Sequence, residues 1–208
     1  MFALDLGSDG SSGPFLAWSA RGTQDGQIGP KTFYIRDGGH KEEVDVSKGM
    51  ILDIEAMKTG WQRSEGMAGV APEWRWNPSP SQMMAAPGDD WKKGLSVKVA
   101  LGGGRVATWE QAGAAAWQAL VKLAPSLQSQ PSPGMLPVVK LAGTDAMQFK
   151  RGSTVAPILE VAKWVERPDS LKEGAAAGIA TEPAPRPAAA PQPAPAPAAA
   201  AADEDLEF

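Results

Sequence analysis

Leu95-Ser96-Val97-Lys98-Val99-Ala100-Leu101-Gly102-Gly103-Gly104-Arg105-Val106-Ala107-Thr108-Trp109-Glu110-Gln111-Ala112-Gly113-Ala114-Ala115-Ala116-Trp117-Gln118-Ala119-Leu120-Val121-Lys122-Leu123-Ala124-Pro125 passes from a strand period through a glycine turn to a helical period. Leu95, Val97, Val99 and Leu101 recur every second residue, the period of a strand with one buried face, which leaves Ser96 and Lys98 on the opposite, open face. Gly102-Gly103-Gly104-Arg105 reads as a hairpin turn into a second strand over 105–108. The period then becomes helical: Gly113, Ala116, Trp117, Leu120, Val121 and Ala124 form one apolar stripe. Thr108 and Gln111 fit a capping box, Glu110 lies in the first turn and Pro125 follows the last, so a helix is expected from about 109 to 124 with Trp117 in the core.

Outward from this unit, apolar residues come in short runs bounded by Gly, Pro, Asp and Ser, which favours strands. Those expected are 15–20, 32–36, 50–55, 57–63, 136–142 and 155–165, with Phe33 and Ile35 facing a core and Tyr34 and Arg36 facing away. A mainly β domain over 14–167 follows, behind an N-terminal arm at 1–13. From 168 the apolar periodicity is lost, and from Glu182 to Ala202 the chain is an Ala/Pro run with Pro183, Pro185, Pro187, Pro191, Pro193, Pro195 and Pro197. Such a segment cannot pack a core, and 168–202 reads as a disordered, extended linker.

The chain of 208 residues suits one domain with tails, and its net charge of −4 is unevenly placed. Four of its 24 acids fall in 203–208, which leaves 20 against the 20 Lys and Arg of the body. A neutral body lacks the strongly basic signature of many duplex binders but permits a local basic groove. Cysteine is absent, which excludes a disulfide scaffold, thiolate metal sites and a Cys nucleophile. Met1-Phe2-Ala3-Leu4-Asp5-Leu6-Gly7 has no basic start, and no long apolar stretch follows, so a cytoplasmic protein away from membranes is expected.

Enzyme chemistry finds little support. His40 is the single imidazole, placed in an exposed turn over 37–43, and there is no Gly-x-Ser-x-Gly elbow. The run of Gly102, Gly103 and Gly104 lacks the Lys-Ser/Thr ending of a phosphate-binding loop. Asp53 with Glu55 and Asp89 with Asp90 are the closest acid pairs, and two acids on one strand face read as a solubilising edge. No catalytic residue, metal or cofactor is expected.

Eight Trp against five Phe and one Tyr is an unusual balance, and the rings are interleaved with cations. Single-strand binding needs flat faces on which bases stack and cations for phosphates. The residues that fit are Tyr34, Arg36, Lys58, Trp61, Arg63, Trp74, Arg75, Trp76, Trp91, Lys92, Lys93, Lys98, Lys150 and Arg151. Trp61 and Arg63 share a strand face. Trp74 and Trp76 fall in a stretch, 74–81, that its prolines mark as a loop, and Phe149, Lys150 and Arg151 fall at a turn. A blander role exists for Trp74, Trp76 and Trp91, which could cap an open barrel end.

The chain closes in Asp203-Glu204-Asp205-Leu206-Glu207-Phe208, acids around an apolar pair whose last ring also carries the terminal carboxylate. This end resembles the acidic tip of bacterial and bacteriophage single-stranded-DNA-binding proteins. The common bacterial tip has Pro where this chain has Glu207, so the likeness is closer to phage versions. The segments Lys58 to Trp61, Trp109 to Gly113 and Phe149 to Arg151 are also similar to phage-encoded proteins of that class. The resemblance implies an oligonucleotide/oligosaccharide-binding (OB) body, a five-stranded barrel with elaborations and a helix between its third and fourth strands. It also implies a protein that coats single-stranded DNA in replication, recombination or repair. Partner enzymes would be recruited through Asp203, Glu204, Asp205, Leu206, Glu207 and Phe208, and a homodimer is compatible with the sequence. The competing class is a non-enzymatic adaptor whose β body binds protein, and whose Trp fluorescence would ignore an added oligonucleotide.

Overall fold

The computed structural model describes residues 13–64, 70–150 and 152–176. The N-terminal arm up to residue 12, Arg151, the Ala/Pro run and the acidic tip lie outside the described residues. The strands are β1 (Phe15–Ser19), β2 (Thr32–Asp37), β3 (His40–Val44), β4 (Met50–Leu52), β5 (Lys58–Arg63), β6 (Glu73–Trp76), β7 (Lys92–Ala100), β8 (Val106–Ala112), β9 (Met135–Phe149) and β10 (Gly152–Glu166). Helix α1 (Ala114–Leu127) joins β8 to β9, and α2 (Asp169–Ala176) follows β10. The protein is mainly β, a curled open sheet ordered β10-β9-β4-β7-β8-β1-β2-β3, with β5 paired to β7 and β6 paired to β5.

β4 and β5 both run antiparallel to β7 and act as one strand bent at the turn Ile54–Ala56. Counted that way, β4/β5, β7, β8, β9 and β10 pair first to second, second to third, first to fourth and fourth to fifth, the adjacencies of a partly open OB barrel. Between the third and fifth strands stands β1. It runs parallel to β8, with Leu16 opposite Trp109, and its Trp18 indole N–H donates to the Val155 carbonyl of β10 at 2.7 Å. The curled sheet stays open on that side, spanned by this bond, while β2 and β3 extend the sheet outward.

The alternation read from 95 to 101 sets the core. Leu95, Val97 and Val99 are buried with Trp109 of β8, Leu16 and Trp18 of β1 and Phe33 of β2. Phe33 meets Trp109 edge to face with centroids 5.6 Å apart and Trp18 at 5.0 Å, geometries that suit the ring quadrupoles.

Four local expectations are corrected. Residues 108–112 are strand, and the helix starts at Ala114. Pairing with β7 along its whole length and burial of Ala107 and Trp109 outweigh a local cap, and Gly113 breaks the strand at φ 115°, a conformation that favours glycine. The supposed capping residue Gln111 instead accepts from the Trp18 backbone N–H at 2.8 Å and returns a bond to the Trp18 carbonyl at 3.0 Å, tying β8 to β1. The buried stripe of α1 is accordingly Ala116, Ala119, Leu120 and Leu123, with Val121 exposed and Trp117 partly buried against the core. Pro125 lies inside the last turn, where the carbonyl it leaves unbonded is that of exposed Val121.

Second, Trp74 and Trp76 are on a strand, β6, and the loop begins only after them. Third, His40 opens the strand β3 and remains exposed. Fourth, Asp53 and Glu55 form no solubilising edge. Asp53 is 1% exposed and takes the Arg167 guanidinium in two bonds of 2.5 and 2.7 Å, and Glu55 takes it at 2.9 Å. The Gly134 backbone N–H and then Arg167 hold the Glu55 carboxyl below its ordinary range. This anchor precedes α2, whose Leu171 is fully buried beside Ala100 and Leu136, so residues 169–176 are helical where composition alone puts linker.

Candidate functional site

Strand alternation sorts the candidate residues onto two faces. On the outer face, away from the core, β7 presents Lys92, Gly94, Ser96 and Lys98, β5 presents Lys58, Gly60 and Gln62, and β6 presents Trp74 and Trp76. The face continues through Thr108 and Glu110 of β8, Phe15 of β1, and Tyr34 and Arg36 of β2. Seven of the expected residues therefore meet there: Tyr34, Arg36, Lys58, Trp74, Trp76, Lys92 and Lys98.

Trp74 and Trp76 stack on each other, with centroids 4.3 Å apart and planes 11° from parallel. Two residues apart on one strand, they point the same way, and Gly94 makes room for them. A Cβ at Gly94 would come within 2.7 Å of the Trp74 ring and 2.8 Å of the Ala112 Cβ. Lys58 Nζ stands 6.0 Å from the centroid of Trp76, and Arg36 lies over the Phe15 ring at 5.7 Å. In the middle of the face the half-buried Glu110 is directly across from Ser96. Burial pushes its carboxyl upward in pKa, opposed by bonds from Ser96 and Trp74 and by the charges of Lys58 and Arg36. The Trp74 indole nitrogen is buried and reaches no partner in full hydrogen-bond geometry, with Glu110 as its neighbouring acceptor.

The remaining candidates on these strands face the core side. Trp61 is buried, and its indole N–H donates to the Met84 carbonyl at 3.0 Å. Lys93 Nζ sits between Trp61 at 5.6 Å and Trp117 at 5.5 Å. Trp91, 8% exposed, is flanked by the guanidinium groups of Arg63 at 5.4 Å and Arg75 at 5.1 Å. Arg63 is paired with Glu73 at 2.7 Å. Trp61 and Trp91 lack the open ring face that a stacking base needs, and the cations around them are engaged with rings and acids.

Lys150 is exposed at the tip of the long β9–β10 hairpin beside Phe149, a ring 48% exposed. Phe149 borders a shallow depression lined also by Trp18, Ala20, Gln111, Ala112 and Thr154. Ala112 is shared with the Trp74 and Gly94 contact, so the depression adjoins the Trp pair's end of the outer face. Sequence reasoning passed over Phe15, Phe149, Ser96 and Glu110 as site residues. Ser96 was legible as outward-facing, whereas Glu110 was hidden by the expected helix start.

Among the described residues no group of three or more His, Cys, Asp or Glu side chains could hold a metal ion, and no helix is long and apolar enough to cross a membrane. No protein-family model matches the chain, and no curated protein or solved structure matches it.

Proposed function

We propose that the protein is a cytoplasmic single-stranded-DNA-binding protein, of bacteriophage type, that coats unpaired DNA in replication, recombination or repair. The strand lies across the outer face of β7 and β8, with bases over the Trp74 and Trp76 pair and phosphates near Lys58, Lys92, Lys98, Arg36 and Lys150. The observation that carries this reading is the Trp74–Trp76 stack, two large rings set on an open face among cations that do not bury them. The placement also supports it. OB barrels bind oligonucleotides on the face of their second and third strands and on the loops between strands one and two and between four and five. Here those are β7 with β8, the β6 excursion and the β9–β10 tip. The segment 203–208 then serves as the handle by which replication or repair enzymes are recruited.

Titrating the full chain with a mixed-sequence oligonucleotide, single-stranded and then duplexed, tests the reading. Salt-sensitive binding of the single strand with quenched Trp emission is the expected result. Absence of binding at low salt, with or without residues 203–208, would overturn it and favour a protein-binding adaptor.

A further inference from the structure

The outer face is aromatic and cationic except at its centre, where Glu110 of β8 faces Ser96 of β7, with Lys58 of β5 in the same row. A carboxylate there repels phosphate, so a strand crossing the sheet must present something else at that point. We propose that Glu110 reads base edges: it accepts paired N–H donors from an unpaired base, guanine foremost, and so gives the protein a preference for guanine-bearing single strands over thymine-only strands. This deepens the single-stranded-DNA reading and rests on it.

Three observations point the same way. Glu110 is only half-buried, so its carboxylate is reachable from the face. Ser96 stands directly across from it on β7, and Trp74 is its neighbour on the face. A carboxylate has about four lone-pair sites, so two such neighbours leave acceptor capacity for a ligand. Beside it the stacked Trp74 and Trp76 supply a ring platform, with the Trp74 ring seated over Gly94. A base lying against that platform directs its edge toward Glu110. Guanine offers N1–H and N2–H side by side, the donor geometry that a carboxylate also accepts from an arginine fork. Cytosine and adenine each offer an amino group. Thymine offers a single N–H between two carbonyls, which a carboxylate repels. The charged groups facing Glu110 are Lys58 and Arg36.

The test compares the full chain and its Glu110→Gln variant at one salt concentration. The probes are a thymine strand of about 16 nucleotides and the same strand with two central guanines. The wild type is expected to bind the guanine-bearing strand about fivefold or more tightly, and the variant to discriminate by about twofold or less. Binding of the thymine strand should be unchanged or tighter in the variant, because a negative charge has left the face. Equal binding of both strands by the wild type, or an undiminished preference in the variant, overturns the proposal. Failure of the wild type to bind either strand is instead the failure of the single-stranded-DNA reading, and the proposal falls with it. If Glu110→Gln does not fold, Glu110→Ala takes its place in the same comparison. Loss of the guanine preference in that variant supports base reading, and an undiminished preference overturns it.

Discussion

The two faces of β5, β6 and β7 carry the same residue types, Trp with Lys and Arg, and use them differently. On the core side Trp61 and Trp91 are buried, and cations lie over their rings: Lys93 over Trp61, and Arg63 and Arg75 over Trp91. The rings supply apolar area and the cations cover it, so this face braces the edge of the sheet. On the outer side Trp74 and Trp76 stack on each other and are only half-buried, and Lys58 stands at the rim of contact, 6.0 Å from a ring centroid. What separates a brace from a platform is how far the rings are buried, because the outer pair covers one face of each ring by its own stack yet stays half-exposed.

The comparison can be broken by exchanging the roles. Trp91→Ala, on the core side, should cost about 3–5 kcal/mol of stability in denaturant unfolding, the usual loss for a buried Trp. Gly94→Ala acts on the outer face alone, since its new Cβ would meet the Trp74 ring at 2.7 Å. It should cost about 1–3 kcal/mol of stability and weaken oligonucleotide binding by displacing the ring. Trp76→Ala should leave the unfolding midpoint nearly unchanged and cost about 1–3 kcal/mol of single-strand affinity, the worth of one stacked base. Lys58→Ala should have the smallest effect, a salt dependence of binding shallower by about one ion with little change in stability. A Trp76→Ala variant that unfolds as readily as Trp91→Ala would mean that the outer pair is a brace as well.

Much of this arrangement was legible wherever one face of a strand is buried. The alternation at Leu95, Val97 and Val99 identified β7 and its open face, and the same rule separated Phe33 and Ile35 from Tyr34 and Arg36. What escaped depended on distant partners. Trp74 and Trp76 look like loop residues because prolines follow, but pairing of Glu73–Trp76 with β5 makes them a strand. Residues 108–112 satisfy a local helix signal, and only the β7 register and the Gln111 bonds to Trp18 select the extended form. Asp53 and Glu55 look like surface acids until Arg167, more than a hundred positions on, arrives between them. Trp61 and Trp76 cannot be told apart by composition, because both sit next to cations, and the difference lies in which face each strand turns inward.

The most direct test of the platform is a fluorescence titration of the full chain and its Trp74→Phe/Trp76→Phe variant with a single-stranded oligonucleotide at low salt. Phe keeps a ring to stack on and removes the two outer indoles as reporters. The account predicts strong quenching in the wild type and little in the variant, which should still bind by mobility shift while Trp61, Trp91 and Trp109 stay silent. Quenching of undiminished size in the variant would contradict the account, because the strand would then be contacting Trp residues outside the outer pair.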